Sequence, residues 1–282
     1  MPLPPGVAAD RVEEIDVGLS GARVARLYVA GRPTAVFKSA ALDRPDLVAE
    51  LVGTERRLRL LARTPLPVPR LLDSGRWRGT HWLTMEHRPG RGAHEPGHDR
   101  AELIALLARA LRGLHAVPVA GLPLPMGPDV LLEQARERVA SGAVDRGWRA
   151  RGHTPELPAA AAAPRTAAGG RVGTRAGEVL ARLAGRLGRV PVSGPVLLHG
   201  DYCLPNVLVD GGGGWSLIDL GRVGVGDRHL DLADMTGSML SDLNPSFGPR
   251  DAEAFLDAYG RDLVDPELLE LYRVLDDFFW PG

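Results

Sequence analysis

The chain has 282 residues, 44% of them hydrophobic and 24% charged, and its 34 basic and 35 acidic side chains leave a net charge of −1. That length can bury one large core or two modest ones, and the near-zero balance excludes bulk electrostatic affinity for nucleic acid or membrane. A single cysteine, Cys203, excludes an internal disulfide, and with no secretory signal and no run of about 18 apolar residues the expected setting is the cytoplasm.

RVARLYVAG and PTAVFKSA are β-prone runs joined through AGRP, a turn signal, and they predict a hairpin preceded by the loop GLSGA at residues 18–22. PDLVAELVGTERRLRLLART repeats its apolar residues at helical spacing, with Pro45 suited to the first turn. HWLTMEH predicts one more strand before RPGRGA interrupts the pattern. DRAELIALLARALRGLHAV is the clearest helix, amphipathic despite Arg109 and Arg112. Residues 145–182 contain the low-complexity PELPAAAAAPRTAAGG and read as a variable insertion or loop. The last stretch, DAEAFLDAYGRDLVDPELLELYRVLDDFFW, predicts two helices divided near DLVDP. The expected class is therefore α+β, a β-rich lobe followed by a mainly helical one, without internal repeats.

Charge is distributed unevenly. Residues 219–282 hold 14 acidic side chains against 5 arginines, a balance of −9, whereas residues 1–88 hold 10 acidic against 14 basic, a balance of +4. An acidic C-terminal part suits a polycationic ligand and a basic N-terminal part suits phosphates. The plain alternative is solvated helix faces.

The densest chemistry lies in VLLHGDYCLPNVLVDGGGGWSLIDLGR, residues 196–222. NVLVD and WSLID are short β-like runs on either side of four glycines. Pairing Asp210 with Trp215 predicts Asn206 opposite Asp219, with Cα atoms roughly 4.5–5.5 Å apart. An amide oxygen and a carboxylate at that end of a hairpin can share a hard cation such as Mg²⁺. Asp201 lies five residues before Asn206. The spacing His199-x-Asp201-x-x-x-x-Asn206, followed by Asp219-Leu220-Gly221, is the one kinases use: one Asp receives the accepting hydroxyl's proton, and Asn with a second Asp holds Mg²⁺ on the nucleotide phosphates. Lys38 is the only lysine beside 33 arginines, and it falls on the strand after the first turn. The helix that follows bears Glu50 and Glu55, as a kinase lysine requires. A compact ammonium reaches phosphates as a point charge, whereas arginine's planar fork demands another geometry.

These motifs resemble the aminoglycoside phosphotransferase family, most closely its 3′-phosphotransferase branch. HGDYCLPNVLV, LIDLGRVGVGDRHLDLA and YRVLDDFF are similar to that branch's catalytic loop, metal segment and C-terminal helix, with gaps between them over residues 17–279. The resemblance implies a bilobal protein-kinase-like fold with an N-lobe in residues 1–84, a hinge in 85–90 and a C-lobe in 91–282. It implies Asp201 as the catalytic aspartate, Asn206 and Asp219 as Mg²⁺ ligands, and Lys38 as the phosphate-contacting lysine. Glu55 is its preferred partner and Glu50 the alternative. GLSGA becomes the nucleotide-positioning loop, with Ser20 near the β-phosphate; no Gly-Lys pair exists for a Walker A loop. Backbone groups of Met85 and His87 would meet adenine. Arg222, Asp276 and Asp277 fall at substrate positions, and the two carboxylates suit a polyamine. The implied activity is Mg²⁺-dependent phosphoryl transfer from ATP or GTP to an aminoglycoside hydroxyl, the 3′-hydroxyl, giving antibiotic resistance, with neither nucleic acid nor membrane as partner.

Three departures bear on the substrate. Where the family carries an acidic substrate loop this chain reads DRGWRARGHTPELPAAAAAP; Gly237-Ser238 replaces a typical Arg-Asp pair; and Trp280-Pro281-Gly282 continues past DDFF. They keep open a kinase of another hydroxylated metabolite or antibiotic intermediate and, beyond it, a non-catalytic nucleotide-binding module. HEPGHD, with His94, His98 and Asp99, offers a metal-hydrolase alternative, against which Pro96 and Gly97 break any i,i+4 helical pair. Ser20 lacks the G-x-S-x-G context of a serine hydrolase. Asp231, in DRHLD, is expected to brace the catalytic loop, and His199 to hold it by packing.

Overall fold

The computed structural model describes residues 2–15, 21–144, 175–190 and 194–279. They form two compact units, one of Met1–Leu106 with Leu204–Val223, the other of Leu107–Cys203 with Gly224–Gly282. This division differs from the expected boundaries at 84 and 90. The first unit runs on past the hinge segment and takes back a distant stretch of chain.

The first unit is built on Arg11–Glu14 (β1), Arg23–Val29 (β2), Arg32–Ala41 (β3), Leu71–Trp77 (β4) and Thr80–Glu86 (β5). These pair antiparallel in the order β1-β2-β3-β5-β4. The expected β2–β3 hairpin turns on Ala30 (φ 50°) and Gly31 (φ 72°), and β4–β5 turns on Arg78 (φ 43°) and Gly79 (φ 74°). Positive φ at both central residues matches the right-handed twist of the flanking strands, so ladder pairing holds even Ala30 and Arg78 in this unfavourable region. Leu27, Ala35, Phe37 and Trp82 form one buried cluster, against which Leu3, Val7 and Ala9 pack from the N-terminal segment.

Pro45–Leu61 (α1) begins with its proline in the first turn and buries Leu47, Leu51, Thr54, Leu58 and Leu61, one continuous face. It packs on β3, β4 and β5. Chain order continues through Arg91–Gly92 (β6) and, after helical segments, Val196–Leu198 (β7), Val207–Val209 (β8) and Trp215–Leu217 (β9). Strands β6, β8 and β9 make a three-stranded sheet of the first unit.

The second unit holds most of the helical chain: the end of Arg100–His115 (α2), then Pro128–Ala140 (α3), Arg175–Leu187 (α4), His229–Leu240 (α5), Pro249–Gly260 (α6) and Pro266–Asp276 (α7). Strand β7 pairs antiparallel with Gly224–Gly226 (β10). Helix α5 packs on α6 and α7, and α4 on α3 and α7. Helix α4 corrects part of the expected loop at 145–182: Ala176, Val179, Leu180, Leu183 and Leu187 are buried at helical spacing. The low-complexity stretch before it lies outside the described residues. Among the described residues, no helix is long and apolar enough to cross a membrane.

Candidate active site

The β8–β9 hairpin forms as expected but with its register displaced by one residue. Val209 pairs with Trp215, Leu208 with Ser216 and Val207 with Leu217. Four glycines leave the loop length undetermined, and Asp210 sets it. Its carboxylate accepts the N–H groups of Gly212 (2.9 Å) and Gly214 (2.8 Å), so the ladder closes between Asp210 N and Gly214 O. Asn206 consequently faces Ile218, whose N–H donates to Asn206 O at 3.0 Å. Asp219 lies one residue further on, in the left-handed region at φ 56°, ψ 57°. A one-residue slip would ordinarily turn a side chain to the opposite face of the ladder; the left-handed turn at Asp219 instead takes it out of the ladder altogether.

Asp219 meets Lys38 there. Lys38 Nζ, on β3, donates to Asp219 Oδ1 at 2.9 Å, a contact across 181 positions of sequence. The lysine side chain is 17% exposed and the aspartate 51%. The acid on α1 within electrostatic reach of this pair is Glu50. Although Glu50 is open to solvent, the protein around its carboxyl raises its pKa, the Lys38 ammonium opposes that rise, and the Asp219 carboxylate adds to it. Glu55, the preferred partner by resemblance, is taken by Arg59 at 2.8 Å, one helical turn on. Burial alone would raise the Glu55 carboxyl, but hydrogen bonds from Arg59 and Ser74 outweigh it and hold it below the usual range. Of the two expected partners, Glu50 is the one whose carboxyl feels the Lys38 charge.

In the hinge segment, Met85 is buried within β5, paired with Val36 and Leu71. The His87 N–H extends the β3–β5 ladder to Thr34 O at 3.1 Å, so it is already engaged rather than open to a base. Burial, with the Arg26 charge, lowers the His87 pKa. Arg88 Nε donates to Ser216 Oγ on β9 at 3.1 Å, tying the hinge to the returning hairpin. Arg222 ends the short helical turn Leu220–Arg222, half-buried. Ser20 and the rest of GLSGA up to that residue lie outside the described residues, as do Trp280–Gly282.

The second unit carries the loop after β7. Asp231, fully buried on α5, accepts three donors: His199 N–H at 2.9 Å, Gly200 N–H at 2.8 Å and His115 Nε2 at 3.0 Å. With Nε2–H given to the carboxylate, the His115 ring accepts the Tyr259 OH through Nδ1 at 2.8 Å. One helical turn beyond Asp231, Asp234 accepts the Tyr202 N–H at 3.2 Å, and Tyr202 OH donates to Leu107 O at 2.8 Å. Half-buried Asp201 therefore sits between two residues whose backbones are fixed, Gly200 and Tyr202. The expected brace by Asp231 is present; His115, Tyr259 and Asp234 were not anticipated. Their signal was the pair Asp231 and Asp234 at i,i+3 on one helix face.

Asp276 and Asp277 close α7, both half-buried, with Asp276 O accepting from Phe279 N–H at 2.8 Å. The side chains of HEPGHD engage the backbone: Glu95 accepts the Gly92 N–H at 2.7 Å, His98 Nε2 meets Gly92 O at 3.2 Å, and Asp99 accepts the Glu102 N–H at 2.9 Å.

The donor set fits Mg²⁺. Asn206 supplies an amide oxygen and Asp219 a half-exposed carboxylate, both hard ligands. No three His, Cys, Asp or Glu side chains gather as a metal cage among the described residues. A pair of oxygen ligands with room for phosphates and water is how Mg²⁺ is commonly held.

A model of the phosphotransferase enzyme family (APH) matches residues 11–272. The chain is 35% identical to an aminoglycoside 3′-phosphotransferase of Streptomyces fradiae, over 94% of each. The crystal structure of an aminoglycoside-3′-phosphotransferase of type VIII superposes with a TM-score of 0.73 at 33% identity, covering 95% of this chain and 94% of that one. The aminoglycoside phosphotransferase APH(3″)-Id of Streptomyces rimosus, in complex with ADP and streptomycin, gives 0.69 at 26% identity over 94% and 95% of the two chains.

Proposed function

The chain belongs to the phosphotransferase enzyme family, and from that premise we propose that it transfers the γ-phosphate of ATP or GTP to the 3′-hydroxyl of an aminoglycoside, which confers resistance to the antibiotic. The observation that carries the proposal is the Lys38–Asp219 contact at 2.9 Å, which brings the phosphate-type cation and the metal-type carboxylate together from opposite ends of the sequence. The acceptor class is supported by the 3′-phosphotransferase relatives and by the −9 balance of residues 219–282.

Asn206 and Asp219 would hold Mg²⁺, which when bound neutralises charge on the nucleotide phosphates. Lys38 contributes a further positive charge to those phosphates, with Glu50 as its counter-charge on α1. Asp201 accepts the hydroxyl proton as the acceptor oxygen bonds to the γ-phosphorus and the bond to the β-phosphate oxygen breaks; the nucleoside diphosphate leaves with the bonding pair. Asp231 fixes the loop backbone so that the Asp201 carboxylate need not be oriented anew at each turnover. Asp276, Asp277 and Arg222 are assigned to the substrate side, the carboxylates pairing with ammonium groups. The setting is the cytoplasm, and the partners are the nucleotide and the polycation, with neither nucleic acid nor membrane.

The test is Mg²⁺-dependent nucleotide consumption across 3′-hydroxyl and 3′-deoxy aminoglycosides, with streptomycin in the panel and Asp201→Asn alongside. Turnover restricted to 3′-hydroxyl compounds is the expected result. The Asp201→Asn protein should keep nucleotide binding and lose at least about 10²-fold in kcat, the lower end of general-base contributions. Turnover of streptomycin alone would replace the 3′ assignment with a 3″ one, and near-normal kcat in Asp201→Asn would end the mechanism.

A further inference from the structure

Helix α1 presents three residues in register with the segment that carries Asp219. Glu50 lies in the field of Lys38, Asp219 and Arg222. One turn on, Thr54 is 4% exposed, and its Oγ1 would stand 3.2 Å from a Cβ placed on Gly221. At the next turn, half-buried Arg57 donates from Nε to Val223 O at 2.8 Å. The spacing 50, 54, 57 is one face of a helix, and it meets the segment at its beginning, middle and end.

Electrostatics alone disfavour Arg57 in this place. Burial lowers its pKa, and the like charges of Arg56 and Arg222 lower it further. Among the described residues no carboxylate pairs with it. A second peculiarity lies four residues earlier. Gly53 stands in the interior of α1, where glycine is destabilising relative to alanine. A Cβ at that position would lie 2.6 Å from Arg57 Nη1. The helix thus forgoes a better helix former at the one place where a methyl group would push the guanidinium aside.

We propose that Arg57, seated in the space left by Gly53, is a positioning residue for the metal-and-nucleotide end of the site. It holds residues 219–223 by the Val223 carbonyl and so sets where Asp219 presents its carboxylate. Asp219 occupies the left-handed region, which aspartate tolerates better than most residues but which still costs free energy relative to ordinary backbone. The α1 face supplies a restraint that holds it there. The inference rests on the phosphoryl-transfer reading above and adds a residue that neither the motifs nor the metal chemistry identify.

The experiment is calorimetric titration of ADP with and without Mg²⁺ against the wild-type chain, Arg57→Ala, Gly53→Ala and the double variant. In the wild type, Mg²⁺ should strengthen ADP binding. Arg57→Ala should reduce that Mg²⁺-dependent gain by about tenfold, the scale on which groups behind a metal ligand act, with metal-free ADP affinity unchanged. Gly53→Ala gives the sharper contrast. Helix propensity alone says it should raise the melting temperature and leave binding intact; displacement of Arg57 says it should lose the same Mg²⁺-dependent gain despite an equal or higher melting temperature. In the Arg57→Ala background, Gly53→Ala should then remove nothing more. A wild-type Mg²⁺ gain that survives in both single variants overturns the role of Arg57 alone. A wild-type chain that gains nothing from Mg²⁺ overturns the phosphoryl-transfer reading, and this inference with it.

Discussion

At the scale of single residues, the one lysine among 33 arginines stands where its geometry differs most from theirs. Lys38 reaches Asp219 Oδ1 from β3 as a point donor, a contact that a planar guanidinium would make from a different distance and angle. Lys38→Ala should weaken nucleotide binding by about 10- to 100-fold, the worth of a hydrogen bond to a charged group, and Lys38→Arg should restore only part of it; nucleotide KM measures both. Glu50 yields a prediction in pH. Although the residue is open to solvent, the protein packed near its carboxyl raises its pKa, with the Asp219 carboxylate adding to the rise, so the folded chain holds that proton more tightly than the unfolded one. The associated stability is fully present below the ordinary carboxylate pKa of about 4.3 and is lost as pH rises through the raised folded value. Glu50→Gln, which cannot ionise, should therefore melt higher than wild type at neutral pH, with the difference shrinking in acid, while its nucleotide affinity falls. The two glutamates also show the limit of sequence reading. Position on a helix face was legible, but which acid Arg59 would occupy depended on a pairing across one turn, available equally well to the eye only after the helix is placed.

Elements set the precision of the site. The loop that carries Asp201 is held by α5 through Asp231 and Asp234, and Asp231 in turn by α2 and α6 through His115 and Tyr259. Tyr259→Phe removes the donor to a buried His115 nitrogen, and an unsatisfied buried group costs about 1–3 kcal/mol. The expected outcome is a lower melting temperature and a fall in kcat, with metal-free ADP affinity unchanged, because the loop and not the nucleotide end is loosened. Equal losses in kcat and in ADP affinity would refute that division. Helix α7 is secured separately. Asp265 caps it by accepting from Glu267 and Leu268 N–H, and its own N–H donates to His229 Nε2 at 2.8 Å. The sequence made α1, α2, α6, α7 and the β2–β3 hairpin legible because their periodicity and turn residues agree. It did not reveal β4, whose LLDSGRW alternates poorly, or α5, which is buried almost all round and so shows no amphipathic stripe. The hairpin register escaped for a different reason: a run of glycines encodes permission rather than length, and a single side chain, Asp210, decided it.

For the whole molecule, charge is the property most readable in advance. Total charge is near zero, but residues 219–282 carry −9, and long-range attraction of a polycation to such a region is screened within about 10 Å at 0.1 M salt. The kcat/KM for an aminoglycoside should therefore fall as ionic strength rises, and fall more for acceptors with more amino groups. An acceptor series assayed over a salt gradient measures this; a slope independent of amino-group number would remove steering from the account. Domain boundaries were the least legible large-scale feature. Residues 11–86 do contain the five-stranded sheet, but nothing in their pattern announces that Leu204–Val223 belongs to the same unit. That membership is decided by contacts the sequence spaces far apart, such as Leu217 N–H to Pro67 O and Arg57 to Val223 O.

That returning segment also imposes an order of events during biosynthesis. Residues 107–203 must be translated between the two parts of the first unit. At ribosomal speeds of 5–20 residues per second that is a delay of about 5–20 s. Throughout it, the nascent sheet and α1 exist without Asn206, Asp219 or the strands that cover Pro67. On the proposed assignment, the residues for Mg²⁺ and nucleotide come together only after Asp219 has left the ribosome, and for those seconds the uncovered surface of α1 is open to chaperones. On that assignment, ligand binding cannot rescue a stalled N-terminal fragment that lacks residues 204–223.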